Sequence, residues 1–150
     1  MIAPASRKLG KYEIRRKLGR GGMADVYLAF DTEHACEVAL KLIEDAPDPD
    51  TRDFMEAERR GAVLQARLAE VDPHVARVYD CGEIDGYFYV AMEYVEGRDL
   101  AEILREGPLA ADAAADIAIA VGATLDAAHH LEVEIDGKTY HGIVHGDIKP

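Results

Sequence analysis

Apolar and polar residues alternate through the first third of the chain, which is the pattern of β-strands whose two faces meet different surroundings. Three strands are predicted, at residues 12–18, 26–30 and 36–42. A glycine-rich stretch at 19–22 separates the first two strands, and residues 31–35 are predicted to turn between the second and the third. The beginning of the chain is therefore predicted to be an antiparallel sheet.

A helix and two more strands are predicted to follow. Residues 47–50 combine prolines with aspartates, which suits a helix N-terminus because proline fits the first turn and acids favour the positive end of the helix dipole. Residues 75–80 and 87–92 are predicted to pair as antiparallel strands joined through 83–86. The helix is predicted to bury one apolar stripe, made of Phe54, Gly61, Leu64 and Leu68.

The pattern becomes helical after residue 96. A short helix is predicted at 100–105, and a long alanine-rich helix at 110–130. Valine and isoleucine then alternate with acids, and Asp136 with Gly137 makes a favoured two-residue turn, so an exposed hairpin is predicted at 131–141. The long helix is predicted to have one apolar face, made of Ile117, Val121, Leu125 and Ala128.

These elements predict an α+β fold in which a five-stranded antiparallel sheet with one helix precedes the first helices of a second part. The predicted organisation is a tail at 1–11, a strand-rich part at 12–95 and a helical part at 96–150.

Composition narrows the classes of function. Hydrophobic residues make up 49% of the chain and charged residues 31%, which is a globular mixture. The formal net charge of −12 disfavours nucleic-acid and anionic-membrane partners, because both attract clustered lysine and arginine.

Cys36 and Cys81 are too few for a disulfide framework and are predicted to be free thiols. No signal peptide or membrane span is found, so a cytoplasmic location is expected, with a membrane segment beyond residue 150 left open. No metal site is predicted, because metal-ligand spacing is missing among His34, His74, His129, His130 and His141.

Two segments of the strand-rich part have candidate chemistry. The glycines at 19, 21 and 22 let backbone N–H groups approach phosphates, although a plain hairpin explains them as well. A dinucleotide-binding fold is disfavoured because a strand rather than a helix follows them. Strand alternation places Lys41 on the same face as the small Ala39, which suits a flat ring over Ala39 and an ammonium on its phosphates.

An acid on the predicted helix is a candidate partner for this lysine. Glu58 lies at the edge of the apolar stripe, whereas Glu56 points almost opposite. A carboxylate at a buried margin needs a partner, and Lys41 is the natural one; a surface contact with Arg59 or Arg60, or simple solvation, is the alternative.

The last residues, 143–150, place His145, Asp147 and Lys149 after two apolar residues. Asp147 is able to accept or orient a hydroxyl proton, and Lys149 is able to neutralise a phosphoryl group. An ordinary strand-to-loop exit is the simpler explanation of these residues taken alone.

In this order and at these intervals, the four segments resemble the eukaryotic-type protein kinase family, with its glycine-rich loop, V-A-I-K lysine, helix glutamate and H-R-D loop. The resemblance covers residues 12–150. The segments LGRGGMADVYLAFD and DIKP are similar to those of bacterial Ser/Thr kinases in particular. It implies a kinase N-lobe and hinge at 12–95 and a partial C-lobe at 96–150 that ends within the catalytic loop.

The resemblance also assigns roles, with ATP and Mg²⁺ as cofactors and a protein bearing Ser or Thr as substrate. Asp147 and Lys149 would serve the transfer, and His145 would brace their loop. Met92 would be the gatekeeper beside the adenine. The other residues expected to bind ATP are Leu18, Gly19, Gly21, Gly22, Ala24, Val26, Ala39, Lys41, Glu58 and the backbone of Glu93 and Val95.

Three departures from the family pattern matter. Ala24 replaces the third glycine, and Gly146 replaces the arginine that pairs with a phosphorylated activation loop in the family, which makes such control doubtful. Residues 131–141 widen the spacing before the catalytic loop, and a lengthened helix makes Glu58 the least secure assignment. The family's Asn would fall at 152 and its D-F-G metal ligand later, so the 150 residues alone are expected not to transfer phosphate.

The leading hypothesis is an ATP-dependent protein Ser/Thr kinase, in which the 150 residues are part of a longer enzyme. A pseudokinase-like module that binds nucleotide or acts as a scaffold without catalysis is the alternative.

Overall fold

The computed structural model describes residues 8–20 and 24–150. Within them the chain forms eight strands and three helices. The strands are β1 (Lys8–Leu9), β2 (Tyr12–Arg20), β3 (Asp25–Asp31), β4 (Cys36–Glu44), β5 (Val78–Ile84), β6 (Tyr87–Glu93), β7 (Glu132–Ile135) and β8 (Lys138–His141). The helices are α1 (Pro49–Val71), α2 (Leu100–Leu104) and α3 (Ala111–His130).

The described residues divide into two compact units. The first contains the chain up to Ala66 together with Ala76–Val95, and the second contains Arg67–Val75 together with Glu96–Pro150. The predicted α+β class is confirmed, because the antiparallel sheet and α1 precede the helices α2 and α3. No helix in the described part of the chain has the length and apolar character needed to cross a membrane.

The main sheet has six antiparallel strands in the order β1-β2-β3-β4-β6-β5, one strand more than predicted. The additional strand is β1, which lies in the segment expected to be a tail and pairs Leu9 with Tyr12. Gly10 has φ +53, a left-handed conformation in which glycine is favoured, and this lets the chain reverse between the two strands. Leu9 is only 3% exposed, so burial of its side chain holds the extra strand in place.

The core on one face of the sheet centres on β4. Val38, Leu40 and Leu42 are all fully buried, in one cluster with Tyr12 and Tyr27. This confirms the predicted alternation along β4 and leaves Ala39 and Lys41 on the other face.

Helix α1 begins where the prolines and acids predicted it. The Asp48 carboxylate caps it by accepting hydrogen bonds from the backbone N–H and the hydroxyl of Thr51, at 2.9 and 2.7 Å. The predicted buried stripe needs one correction, because Gly61 is exposed and Ala62 is buried instead. Met55 as well as Phe54 packs on the cluster that contains Ala62, and Leu68 is buried as predicted. Glycine offers no side chain to bury, and alanine does.

The β5–β6 hairpin begins three residues later than predicted, at Val78. Its turn is formed by Asp85 and Gly86, whose φ values of 50° and 80° are those of a two-residue hairpin turn. Before the strand, the N–H of Val75 bonds back to the carbonyl of Asp72, so the chain turns at residue 75 before it reaches β5.

The second unit contains α2, α3 and the predicted hairpin, now β7–β8. Asp136 and Gly137 again form its turn, with φ 51° and 74°. The hairpin is tied to the end of α3 by the Gly142 N–H, which donates to the Leu131 carbonyl at 2.8 Å. On the predicted apolar face of α3, Ala128 is buried. Ile117 and Val121 are each 38% exposed.

Candidate functional site

The residues predicted to enclose a nucleotide lie on one face of the main sheet. In the ladder, Val26 lies opposite Lys41, and Ala39 lies opposite Met92. Directly opposed residues of antiparallel strands project to the same side, and Ala39 and Lys41 are two positions apart on one strand. All four side chains are half-buried. The sheet therefore presents small and apolar side chains next to one lysine.

Lys41 forms an ion pair with Glu58, the glutamate of α1 that the sequence indicated as its partner. The Lys41 Nζ atom donates a hydrogen bond to Glu58 Oε1 at 2.6 Å. The two side chains are 24% and 23% exposed, so the pair is partly shielded from water. Charge-assisted hydrogen bonds of this length are among the stronger ones in proteins. The pair fixes the ammonium group on the face it shares with Ala39.

Two further contacts hold α1 at the distance this pair needs. The Arg59 guanidinium bonds the Glu83 carboxylate on β5 at 2.8 Å and lies 5.1 Å from the centre of the Phe88 ring. The Gln65 amide donates to the carbonyl of Ala76 at 2.7 Å. Both contacts join α1 to the segment that leads into or forms β5, and the sequence patterns did not indicate either.

Part of the glycine-rich stretch lies within the described residues. Leu18 is half-buried and Gly19 is exposed on β2, and no atom of the described residues would contact a Cβ added at Gly19. Ala24 is 5% exposed and belongs to the cluster that includes Ala62 and Phe88, so its methyl group is used in packing. Gly21 and Gly22, which were predicted to cover phosphates, lie outside the described residues.

The predicted hinge follows β6. The Glu93 N–H donates to the Arg77 carbonyl at 2.8 Å, which leaves the Glu93 carbonyl oxygen as the backbone group that a nucleotide would have to use. Val95 is 69% exposed. Between them, Tyr94 accepts a hydrogen bond on its hydroxyl from the Arg16 guanidinium at 3.1 Å, which links the hinge to β2.

The catalytic-loop candidates form a small exposed network in the second unit. Lys149 Nζ donates to Asp147 Oδ2 at 2.9 Å, and the Asp147 N–H donates to His145 Nδ1 at 3.2 Å. The Lys149 hydrogen bond and charge lower the pKa of Asp147, because both favour the ionised carboxylate. Gly146 has φ +74, a conformation that costs side-chain-bearing residues more than glycine.

One cluster of charged groups was missed by the sequence analysis. Asp31, Glu33 and His34, in the β3–β4 turn, bring potential metal-ligand atoms within 4.8 Å of one another. The Lys11 ammonium lies 3.4 Å from both carboxylates and from Asp80, so the protein supplies its own cation there. Burial alone would raise the pKa of Asp31, but hydrogen bonds from His34 and Glu33 and the Lys11 charge lower it to about 2.

Comparison with known proteins defines the class. The family model described as "Protein kinase domain" matches residues 12–150, which is most of the chain, and the chain belongs to that family. It is 45% identical over 146 residues to the serine/threonine-protein kinase PknE of Mycobacterium bovis, covering 95% of this chain and 23% of that protein. It is 40% identical over 144 residues to the serine/threonine-protein kinase PknH of Mycobacterium tuberculosis, covering 94% of this chain and 21% of that protein.

The solved structures agree with this assignment. The crystal structure of the M. tuberculosis PknI kinase domain superimposes with a TM-score of 0.67 at 31% identity, covering 86% of this chain and 51% of that one. The chain therefore spans about a quarter of the curated relatives it matches and about half of the matched kinase domain. The family predicted from the four segments is confirmed, including its bacterial Ser/Thr branch.

Proposed function

We propose that this chain is the ATP-binding and catalytic-loop part of a protein kinase that transfers the γ-phosphoryl group of ATP to serine or threonine hydroxyls. The observation that carries the proposal is the 2.6 Å ion pair between Lys41 and Glu58, on the face of the sheet that also presents Ala39. Such a pair holds an ammonium group where it can meet the α- and β-phosphates.

The adenine ring would lie against Val26, Ala39 and Met92, which are half-buried on the same face. Its edge would be bonded by the carbonyl of Glu93 and the N–H of Val95. The small side chain of Ala39 leaves room for a flat ring, and the apolar side chains favour an aromatic ring over water.

In the transfer step, the substrate Oγ forms a bond to the γ-phosphorus while the bond from that phosphorus to the β–γ bridging oxygen breaks, and ADP leaves. Asp147 accepts the hydroxyl proton as its carboxylate lies in the exposed loop beside Lys149. Lys149, 2.9 Å from Asp147, supplies positive charge for the transferred phosphoryl group.

Kinases also use Mg²⁺, which neutralises charge on the β- and γ-phosphates. The family holds it with an Asn after the catalytic Asp and with the Asp of D-F-G. Residues 8–20 and 24–150 contain neither position, so no step proposed here runs through the metal ion.

The substrate class is a protein with an accessible serine or threonine, and the site of action is the cytoplasm. The identity of Lys149, two residues after Asp147, supports Ser/Thr rather than Tyr specificity. The free thiols Cys36 and Cys81 are compatible with a reducing compartment.

The test is phosphotransfer by the complete product of the gene that encodes this chain, with ATP, Mg²⁺ and a panel of Ser-, Thr- and Tyr-containing peptides. Mass spectrometry should locate new phosphate on Ser or Thr, and Asp147→Asn should lower kcat by at least about 100-fold. Asp126→Asn, at an exposed aspartate on α3, is the matched control and should leave kcat unchanged. Saturable ATP binding without phosphotransfer would instead support a scaffold module, and phosphate found only on Tyr would contradict the substrate class.

A further inference from the structure

A short ion pair joins the two strands on either side of the glycine-rich stretch. Lys17 lies near the end of β2 and Asp25 is the first residue of β3. Lys17 Nζ and Asp25 Oδ1 are 2.6 Å apart. The Asp25 side chain is 5% exposed and that of Lys17 is 39% exposed. The pair therefore combines a buried carboxylate with an ammonium that reaches it from the surface.

The pair lies on the face of the sheet opposite to Lys41. Asp25 is opposed by Leu42 and Tyr27 by Leu40, both of which are buried in the core on the other face. Directly opposed residues project to the same side, so Asp25 projects away from the face of Val26 and Lys41. A nucleotide on the Lys41 face would therefore not contact Lys17 or Asp25. Any effect of the pair on nucleotide binding has to be transmitted through the strands.

The backbone pairing between β2 and β3 is irregular next to the Lys17–Asp25 pair, so side-chain contacts contribute more to holding these two strand ends together. The β2–β3 register is irregular between Lys17 and Gly19, so regular hydrogen bonding is interrupted one residue before the glycine. The buried Asp25 carboxylate has the Tyr27 hydroxyl as a second, longer contact, at 3.4 Å. Burial, together with the Asp25 charge, raises the pKa of Tyr27, so this hydroxyl stays protonated and can donate. Among the described side chains, the Lys17 ammonium is the closest positive charge to this buried carboxylate, and its loss would release the end of β2.

We propose that the Lys17–Asp25 ion pair is a positioning device for the nucleotide site: it holds Gly19 on β2 and Val26 on β3 in the register that the ATP phosphates and adenine require. This inference rests on the proposed function. Lys17 and Asp25 are positioning residues, because they act through the two strands and touch neither substrate nor cofactor.

The role predicts a particular kinetic signature. Lys17→Met and Asp25→Asn should each raise the KM for ATP about tenfold, because small misplacements of binding groups are costly. The kcat and the KM for the peptide should change by less than about twofold, since Asp147 and Lys149 are untouched. Arg15→Met is the matched control: Arg15 is also on β2, but its pair with Glu37 is exposed and 3.8 Å long.

A double variant separates positioning from stability. Lys17→Met leaves a buried charge unpaired and should lower the Tm, whereas Lys17→Met with Asp25→Asn removes both charges and should recover most of it. If the pair positions the site, the double variant keeps the raised KM for ATP despite its recovered Tm.

The measurements are steady-state kinetics and nucleotide titration on the complete gene product and its variants. A KM for ATP in the double variant that equals that of the wild type and Arg15→Met would overturn the positioning role while leaving the proposed function intact. A wild-type protein that neither binds ATP nor transfers phosphate would overturn the proposed function and this inference with it.

Discussion

Neutralising Glu58 is the perturbation that tests the geometry of the site most sharply. The 2.6 Å contact with Lys41 corresponds to a gross attraction of about 6 kcal/mol at an effective dielectric constant of about 20. Desolvation cancels much of this, and hydrogen bonds to charged groups contribute about 1.5–3 kcal/mol net. Since about 1.4 kcal/mol corresponds to a factor of ten, Glu58→Gln should lower kcat/KM for ATP by roughly 10- to 100-fold.

The assay is steady-state phosphorylation of a peptide by the complete gene product over a range of ATP concentrations. Glu56→Gln is the control, because Glu56 is on the same helix, is 54% exposed, and its contacts with Arg59 and Arg60 are long, at 3.8 and 3.9 Å. It should stay within twofold of the wild type, as a surface pair contributes little. Equal kcat/KM values for the two variants would refute the argument that Glu58 holds Lys41 in its working position.

Two predictions concern stability. Leu40→Ala removes a fully buried side chain and should lower the free energy of unfolding by about 3 kcal/mol in urea titrations. Val71→Ala, at a 63% exposed position, is the control and should change this free energy by less than about 0.5 kcal/mol. Similar losses of stability in the two variants would contradict the assigned core. The folded-state pKa of Asp31, about 2 against an ordinary 3.8, predicts that its charge stabilises the fold by about 2 kcal/mol. This contribution is complete above about pH 4 and is lost as the pH falls towards 2, so the stability difference between wild type and Asp31→Asn should shrink over that interval, and a difference independent of pH would contradict it.

Local chemistry predicted where the hairpins turn, because the turns depend on a few residues, although the strand before the first turn begins and ends later than predicted. Asp85 with Gly86 and Asp136 with Gly137 both adopt the left-handed conformations that close two-residue loops. The β1 strand was missed for the opposite reason. Two residues, Lys8 and Leu9, are too few for a periodic signal, and their strand exists because Leu9 is buried on the sheet.

The site was only partly predictable from the sequence. The face of Lys41 and its pairing with Glu58 followed from strand alternation and helical angles, which are local geometry. The Lys17–Asp25 pair and the Arg59–Glu83 contact depend on the β2–β3 register and on how α1 docks against β5. The burial of Ala62 in place of Gly61 likewise reflects how α1 packs on the sheet, because the apolar spacing along the helix does not distinguish two small neighbouring residues.

The central claim is that the Lys41 ammonium, on its face of the sheet, binds the phosphates of ATP for transfer to a protein hydroxyl. The most direct measurement is the rate of phosphate transfer from γ-labelled ATP to a Ser/Thr peptide by the complete gene product, compared with its Lys41→Met variant. The account predicts a loss of at least about 100-fold in rate with the fold intact by circular dichroism. A Lys41→Met protein that transfers phosphate at the wild-type rate would contradict it.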